Sequence, residues 1–237
     1  MARTFKSEGI VLSSLKYSET SLILDIYTEQ QGLGSYIVSG VRKQKSRTSN
    51  VYHPMNIIDM VAYTSGESLS RIKEASYGYM YQKLDRDVIK AAVGTYIIEL
   101  VRNAIQDKEA DVRLYNFIRQ TLVSIDEGTQ LLGPLPYQFA IQLSAYLGFQ
   151  MQNNYSADRP YFDISVGQFV ATLTSDKSVL DDSLSLVIHQ LMNGSQTLSL
   201  SKQDKEFLLD KLMFYFELHI ENFKPLRSIP VLRSIFG

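Results

Sequence analysis

Short hydrophobic runs, separated by turn residues, make up the first eighty positions of the chain. The runs are rich in β-branched and aromatic residues, which favour strands, and none of them has helical spacing. Five short strands without a helix among them predict a small closed barrel, and the OB-fold is the commonest five-stranded choice. The predicted strands are a long first one from Ile10 to Tyr17 and shorter ones at Ser21–Tyr27, Tyr36–Val38, Ile57–Tyr63 and Leu69–Tyr77.

Beyond about Leu84 the hydrophobic positions recur at helical spacing, which predicts amphipathic helices. The polar segment from Gln152 to Asp163 predicts a loop. Acidic residues stand where helices begin, as at Asp87 and Asp181, and favour the helix dipole there. We therefore predict an α+β protein, with a five-stranded OB-fold β-barrel over residues 1–80 and a mostly α-helical domain over residues 81–237. The predicted helices are Val88–Ile105, Leu114–Ile125, Pro134–Leu147, Leu180–Leu191 and one from near Ser201 to about Phe223.

The composition and net charge limit the kinds of functional site that the chain can form. The formal net charge of the 237 residues is −1, so any surface that binds anions must be a local patch. The chain has no cysteine, which excludes disulfides, thiolate metal sites and cysteine nucleophiles. The N-terminal residues lack the pattern of a signal peptide, and no stretch approaches eighteen apolar residues. We expect a cytoplasmic protein that does not enter a membrane.

A basic segment between the third and fourth predicted strands is the most informative local feature. Four of the six residues from Arg42 to Arg47 are basic and none is acidic, and such a loop can follow a phosphate backbone. Tyr27, Tyr36 or Tyr63 would offer rings for stacking on unpaired bases. The alternative is a solvated loop and tyrosines that pack in the core. The predicted DNA-binding residues are Lys16, Tyr17, Arg42, Lys43, Lys45, Arg47 and Lys73.

Catalytic signatures are missing from the sequence. There is no phosphate-binding glycine loop, no nucleophile elbow and no zinc-protease motif. The three histidines, His53, His189 and His219, are far apart and share no ligand spacing with a carboxylate. We therefore predict no catalytic residue, no metal site and no cofactor, and we expect that the protein is not an enzyme.

The first fifty residues contain three motifs, Glu8-Gly9-Ile10-Val11-Leu12, Tyr17-Ser18-Glu19 and a basic stretch from Gly40 to Arg47. Taken together, these motifs resemble the bacterial recombination mediator family RecO. The family's opening Glu-Gly-Ile-Val-Leu matches Glu8 to Leu12, and its Tyr-x-Glu matches Tyr17 to Glu19. The family's basic loop, Gly-x-Arg-x-x-Lys-Ser-Arg, matches the residues from Gly40 to Arg47. Near the other end, Tyr215-x-x-x-His219 with Lys224 to Ser228 resembles the closing helix and tail. The similarity brackets nearly the whole chain and is weakest between about 150 and 200.

One departure from the family concerns a metal. Many members carry a four-cysteine zinc site after a Leu-Gly-Phe helix end, which is Leu147 to Phe149 here. This chain has Gln152 to Tyr155 and Tyr161 to Asp163 in that region instead. We expect that packing holds the region without zinc.

The resemblance implies a function and partners. It implies binding to single- and double-stranded DNA, annealing of complementary strands, and action with RecR and single-stranded-DNA-binding protein to load the recombinase RecA during gap repair. It also implies a nucleoid-associated protein whose helical body receives the acidic, Phe-ended tail of single-stranded-DNA-binding protein. Arg102, Arg113 and Arg119 are the predicted cations for that tail, beside apolar Val101, Ile105, Tyr115 and Phe117.

Three other interpretations stay open at this point. An OB-fold protein that binds RNA or the ribosome would use the same loop on another polymer. A scaffold could bind protein partners alone, and its DNA affinity would not depend on the basic segment. An unrecognised hydrolase would show metal-dependent turnover.

Overall fold

The computed structural model describes residues 3–41, 47–64, 69–174 and 178–236. The chain forms two compact units, residues 1–127 and 128–237. The first unit thus contains the barrel and two helices that follow it, whereas the change from strand to helix periodicity falls near residue 80. A functional division at residue 80 stays a prediction. In the described part of the chain, no helix is long and apolar enough to span a membrane.

The five predicted strands are confirmed, and they close into a barrel of OB type. The strand order around the barrel is β1-β2-β3-β5-β4, with β3 and β5 parallel and the other pairs antiparallel. The interior is filled by aliphatic side chains together with Tyr36 and Tyr52. The strands are β1 Arg3–Lys16, β2 Leu22–Thr28, β3 Gly32–Val38, β4 Ile57–Thr64 and β5 Ser70–Tyr77.

The long first strand closes the barrel because it pairs with two neighbours. Residues 3–10 pair with β4, and residues 9–16 pair with β2. A bulge between Val11 and Ser13 bends the strand where it passes from one partner to the other. At Gly9 a Cβ atom would lie 2.7 Å from the Cγ2 atom of Ile26, so only glycine fits this crossing without a shift.

A second bulge corrects the predicted alternation of β5. The sequence predicts that Arg71, Lys73 and Ala75 share one face and that Ile72 and Glu74 share the other. In the structure the register shifts by one residue at Lys73, so Ile72 and Ala75 both pack toward the barrel core. The bulge leaves Lys73 outside, beside Glu74.

Two helices complete the first unit. Asp87 caps α1, since its carboxylate accepts hydrogen bonds from the amides of Ile89 and Lys90. The segment before α1 is held by Asp126 of α2, whose carboxylate accepts the amide protons of Gln82, Lys83 and Leu84 at 2.7–3.1 Å. The helices are α1 Val88–Ala104 and α2 Val112–Glu127, and a short 3₁₀ helix, Arg47–Tyr52, precedes β4.

The second unit consists of helices around one small hairpin. The predicted loop over 152–163 is wrong at its end, because Tyr161–Asp163 pairs with Gln168–Val170. The last predicted helix ends at His219 rather than near Phe223, and a further helix follows it. Pro230 stands in the first turn of that helix, where its missing amide proton costs nothing. The elements are α3 Leu135–Tyr146, β6 Tyr161–Asp163, β7 Gln168–Val170, α4 Asp182–Met192, α5 Lys202–His219 and α6 Ile229–Phe236.

Candidate nucleic-acid interface

The hairpin loop between β1 and β2 presents two of the predicted DNA-binding residues. Lys16 is the last residue of β1, and Tyr17 follows it with 64% of its surface exposed. The amide of Tyr17 donates a hydrogen bond to the carbonyl of Ser21 at 3.1 Å, which closes the loop. Because Leu22 pairs with Val38, this loop lies beside the end of β3. Lys16 and Tyr17 therefore lie at the end of the barrel from which the basic segment leaves.

The basic segment is fixed to the barrel on both sides. Arg42, Lys43 and Lys45 lie outside the described residues, and so does the side chain of Arg47, the first residue of the 3₁₀ helix. Before the segment, Val41 is buried in the barrel core. After it, Val51 and Tyr52 are buried in the same core.

Lys73 lies outward at the bulge of β5. Its ammonium is 3.1 Å from a carboxylate oxygen of Glu74, and this hydrogen-bonded contact raises the pKa of Lys73. β5 runs parallel to β3 and is its hydrogen-bonded neighbour, so Lys73 lies on the strand next to the one that leads into the basic segment.

Two of the three predicted stacking tyrosines are in the core, which corrects that part of the hypothesis. Tyr27 is 1% exposed and Tyr36 is 3% exposed. Burial raises the pKa of both hydroxyl groups. Neither ring can stack on a base, because both rings are buried inside the protein. Tyr63 is only partly buried and keeps a surface toward solvent.

Arg119 makes a partly buried ion pair within the first unit. Its Nε atom lies 2.6 Å from Oε1 of Glu8, and the hydroxyl of Tyr115 donates to the same oxygen at 2.8 Å. The hydrogen bond to Glu8 raises the pKa of Arg119, and burial together with this carboxylate raises the pKa of Tyr115. This cluster joins α2 to β1. Sequence reasoning used Glu8 only as a family marker, and no local signal could show its partner 111 residues away.

Arg102 makes a second link between a helix and the barrel. Its Nη2 atom lies 3.1 Å from Oδ2 of Asp25 on β2. The hydroxyls of Ser13 and Ser35 donate to the same carboxylate at 2.6 and 3.0 Å. Three strands and α1 therefore meet at Asp25.

The predicted tail-binding arginines differ in their surroundings. Arg113 is the most exposed of the three, with 85% of its side chain open to solvent and Asp111 at 3.6 Å, compared with 47% for Arg102 and 30% for Arg119. Of the residues predicted to line an apolar slot, Val101, Ile105 and Tyr115 are buried in the core, whereas Phe117 is only partly buried. Binding of a partner's tail by Arg102, Arg113 or Arg119 stays a prediction.

The region after Leu147–Phe149, where the resemblance suggested a zinc site in other members, is held here by amides and aromatic rings. The side-chain amide of Asn154 donates to the carbonyl of Phe169 at 3.1 Å and accepts its amide proton at 2.8 Å. Tyr155 stacks on His189 with ring centroids 4.5 Å apart, and Asn153 hydrogen-bonds the Nδ1 atom of His189 at 2.7 Å. Amides and stacked rings are not the thiolate donors that structural zinc requires, so these residues do not fit the metal. The described residues contain no group of three acidic or histidine side chains able to hold a metal ion.

Comparisons with known proteins identify the family to which the chain belongs. The family model for the N-terminal domain of recombination protein O matches residues 1–80, and the model for its C-terminal domain matches residues 85–228. DNA repair protein RecO of Christiangramia forsetii is 30% identical to this chain over 238 residues, with 98% of each chain covered. DNA repair protein RecO of Flavobacterium psychrophilum is 26% identical over 240 residues, covering 98% of this chain and 99% of its own. The two family models together span the barrel and the helices that follow it in the sequence. The chain therefore belongs to the RecO family of bacterial DNA repair and recombination proteins.

Proposed function

We propose that this protein is a DNA-binding recombination mediator that binds single- and double-stranded DNA and anneals complementary strands. The observation that supports this most is the position of Lys16 and Tyr17 at the end of the barrel from which the basic segment leaves. The exposed loop with Lys16 and Tyr17 lies beside the strand that leads into the segment from Arg42 to Arg47. A cationic surface of this kind follows phosphates without reading sequence.

The proposed annealing needs no catalytic residue. Two complementary strands repel each other through their phosphates, and cations on one surface reduce that repulsion. Base pairing then supplies the driving force. The protein therefore acts as a mediator rather than as an enzyme in this proposal, and the activity should fall steeply with salt.

Family membership supports a proposal about the protein partners. We propose that the chain acts with RecR and with single-stranded-DNA-binding protein to help load a recombinase onto coated DNA. We propose that it carries out this role in the cytoplasm, at the nucleoid. The exposed Arg113 is the strongest candidate cation for an acidic partner tail, since it is the most open of the three arginines.

A salt titration of DNA binding tests the proposal. The variant to compare with the wild type is Arg42→Ala, Lys43→Ala, Lys45→Ala and Arg47→Ala combined. For every phosphate that the variant no longer binds, the log–log salt slope should flatten by roughly one unit on duplex DNA and somewhat less on single strands. A control is Lys202→Ala with Lys224→Ala, which removes two positive charges from the second unit. An unchanged slope in the fourfold variant would show that the basic segment does not contact DNA.

Repeating the titration with RNA of the same sequence separates the proposal from its nearest alternative. Tighter binding to RNA, together with RNA annealing in place of DNA annealing, would favour an RNA-binding role. Absence of binding to either polymer would favour a scaffold for proteins.

A further inference from the structure

The turn between the short 3₁₀ helix and β4 contains a residue in an uncommon backbone conformation. Met55 has a φ angle of 78°, in the left-handed region that residues other than glycine rarely adopt. Such a conformation persists where the surrounding structure fixes it, and it is often found close to functional sites. The 3₁₀ helix begins at Arg47, the last residue of the basic segment. The turn at Met55 is therefore where the chain returns from that segment to the barrel.

Contacts from three parts of the first unit fix Met55. Its amide donates a hydrogen bond to the carbonyl of Val11 at 2.9 Å, and its carbonyl accepts the hydroxyl proton of Tyr81 at 2.9 Å. Its Sδ atom lies against Gly94 of α1, where a Cβ atom would be only 2.8 Å from the sulfur. The turn is thus bound to β1 beside its bulge, to the segment that follows β5, and to α1.

Asn56 ties the same turn to the 3₁₀ helix. Its side-chain amide donates to the carbonyl of Asn50 at 2.7 Å and to the carbonyl of Val51 at 3.1 Å. The last carbonyls of a helix have no partner within the helix, so the side chain of Asn56 satisfies them from outside. The backbone carbonyl of Asn56 accepts a hydrogen bond from the amide of Val11 at 2.9 Å. Asn56 therefore joins the end of the 3₁₀ helix to β1.

Tyr81 belongs to a segment that α2 holds in place. The three residues that follow it donate their amide protons to the carboxylate of Asp126. Tyr81 is buried, and its ring packs edge-on against Tyr79 with the ring centroids 5.4 Å apart. The position of the Tyr81 hydroxyl is therefore fixed by its surroundings, and this hydroxyl in turn fixes the carbonyl of Met55.

We propose that Asn56 and Tyr81 are positioning residues for DNA binding, because they hold the 3₁₀ helix on which the basic segment ends. This inference rests on the proposed DNA-binding function and names residues that act through the basic segment instead of touching DNA. A cation contributes to binding only where it meets a phosphate, and the phosphates follow one another at a regular spacing along DNA. Release of the 3₁₀ helix therefore costs phosphate contacts although no charge is removed.

A double-mutant cycle tests the proposal. Asn56→Ala with Tyr81→Phe removes the hydrogen bonds of the side-chain amide and the hydroxyl, and it leaves the net charge unchanged. The pair is made both in the wild type and in the fourfold alanine variant of the basic segment. In the wild type, we expect the affinity for duplex DNA to fall about fivefold and the log–log salt slope to flatten by about one unit. In the fourfold variant, the same pair should change the affinity less than about twofold, since the cations through which it acts are already absent.

The matched control is Tyr79→Phe with Gln82→Ala. These changes also remove a hydroxyl and a side-chain amide from the first unit, but the two groups bond to Asp126 and to the carbonyl of Met80 rather than to the turn. The control should leave the affinity and the salt slope as they are in each background. Urea unfolding of every variant shows that it is folded under the assay conditions. Tyr81→Phe alone, which keeps the ring, repeats the cycle with a milder change and should lower the wild-type affinity about twofold.

The outcomes separate the two levels of the proposal. If the fourfold variant binds DNA like the wild type, the basic segment does not contact DNA, and both the proposed contact and this inference are wrong. If the fourfold variant binds weakly but the pair leaves the wild-type affinity and slope unchanged, only the inference is wrong. Equal losses of affinity in both backgrounds would also overturn it, because Asn56 and Tyr81 would then support the fold as a whole rather than the basic segment.

Discussion

The guanidinium of Arg119 on α2 lies 2.6 Å from the carboxylate of Glu8 on β1. Tyr115, one turn earlier on the same helix, donates its hydroxyl proton to the same carboxylate. Glu8 thereby fixes α2 against the barrel at a strand that closes it. A residue chosen from the sequence as a cation for a partner's tail thus has a structural partner inside its own unit.

Glu8→Ala should lower the free energy of unfolding by about 1–3 kcal/mol, because it leaves a partly buried cation and a buried hydroxyl without their acceptor. Urea denaturation measures the change. Asp85→Ala is the matched control, because its contact with Arg86 is long and exposed, and its effect should stay within about 0.5 kcal/mol. Equal effects of the two substitutions would contradict a structural role for the Glu8 pair.

Asp126→Asn should destabilise the protein at neutral pH and have a smaller effect in acid. Burial alone would raise the pKa of Asp126, but hydrogen bonds from the amides of Lys83, Leu84 and Gln82 outweigh it and lower the pKa. The stabilisation by the carboxylate is therefore complete above its unfolded pKa of about 3.9, and is lost as the pH falls through the lower folded value. Urea unfolding at pH 7 and at successively lower pH measures this.

The adjacent Glu127 supplies the control for Asp126. It is exposed at the end of the same helix, so Glu127→Gln should change stability little at any pH. A constant difference between Asp126→Asn and the wild type down to pH 2 would show that the charge of Asp126 is not what stabilises the segment from Gln82 to Leu84.

The region around Asn154 should be stable without zinc. Asn154→Ala removes both hydrogen bonds to Phe169 and should lower the melting temperature by several degrees, whereas a chelator added to the wild type should not change it. Gln152→Ala is the control, since Gln152 bonds to Gly167 through its backbone amide, which the substitution keeps. Stoichiometric zinc in protein never exposed to nickel or zinc resins would contradict this prediction.

Arg113→Ala should weaken binding of a peptide copy of the partner's acidic tail about fivefold, since Arg113 is open to solvent. Arg102→Ala and Arg119→Ala should act mainly on stability, because barrel carboxylates bind both side chains. Peptide titration and urea unfolding of the three variants separate these effects. If all three bind the tail like the wild type, the tail docks elsewhere on the protein.

Periodicity was sufficient for the strands and most helices, because alternation and helical spacing are local properties of the sequence. It could not show the bulge at Lys73, since one extra residue moves Ile72 and Ala75 onto the same side only after β4 has paired with β5. The same limit applies to Tyr27 and Tyr36. The local sequence around an aromatic residue in a strand does not show whether its ring faces the core or the solvent. Only the closed barrel determines the direction of the ring.

Only the local features of the candidate nucleic-acid interface could be predicted from the sequence, for the same reason. Clustered cations between strands are visible in the sequence, and the structure brings Lys16 and Tyr17 beside the end of β3, the strand that precedes that segment. The cross-strand pairing of Leu15 with Ile23 and of Ile23 with Ile37 is not visible in this way, because the three residues come from three different strands. Their alignment depends on the register of pairing, which the sequence does not display.

The shared first strand has a consequence for truncation. Residues 3–10 of β1 form the hydrogen-bonded edge partner of β4, opposite β5. Removing them would turn a closed barrel into an open sheet whose outermost strand, Ile57–Thr64, has free backbone amides and carbonyls along one side. Such an edge pairs readily with other chains. Deletion of the first ten residues should therefore produce aggregation rather than a smaller folded protein.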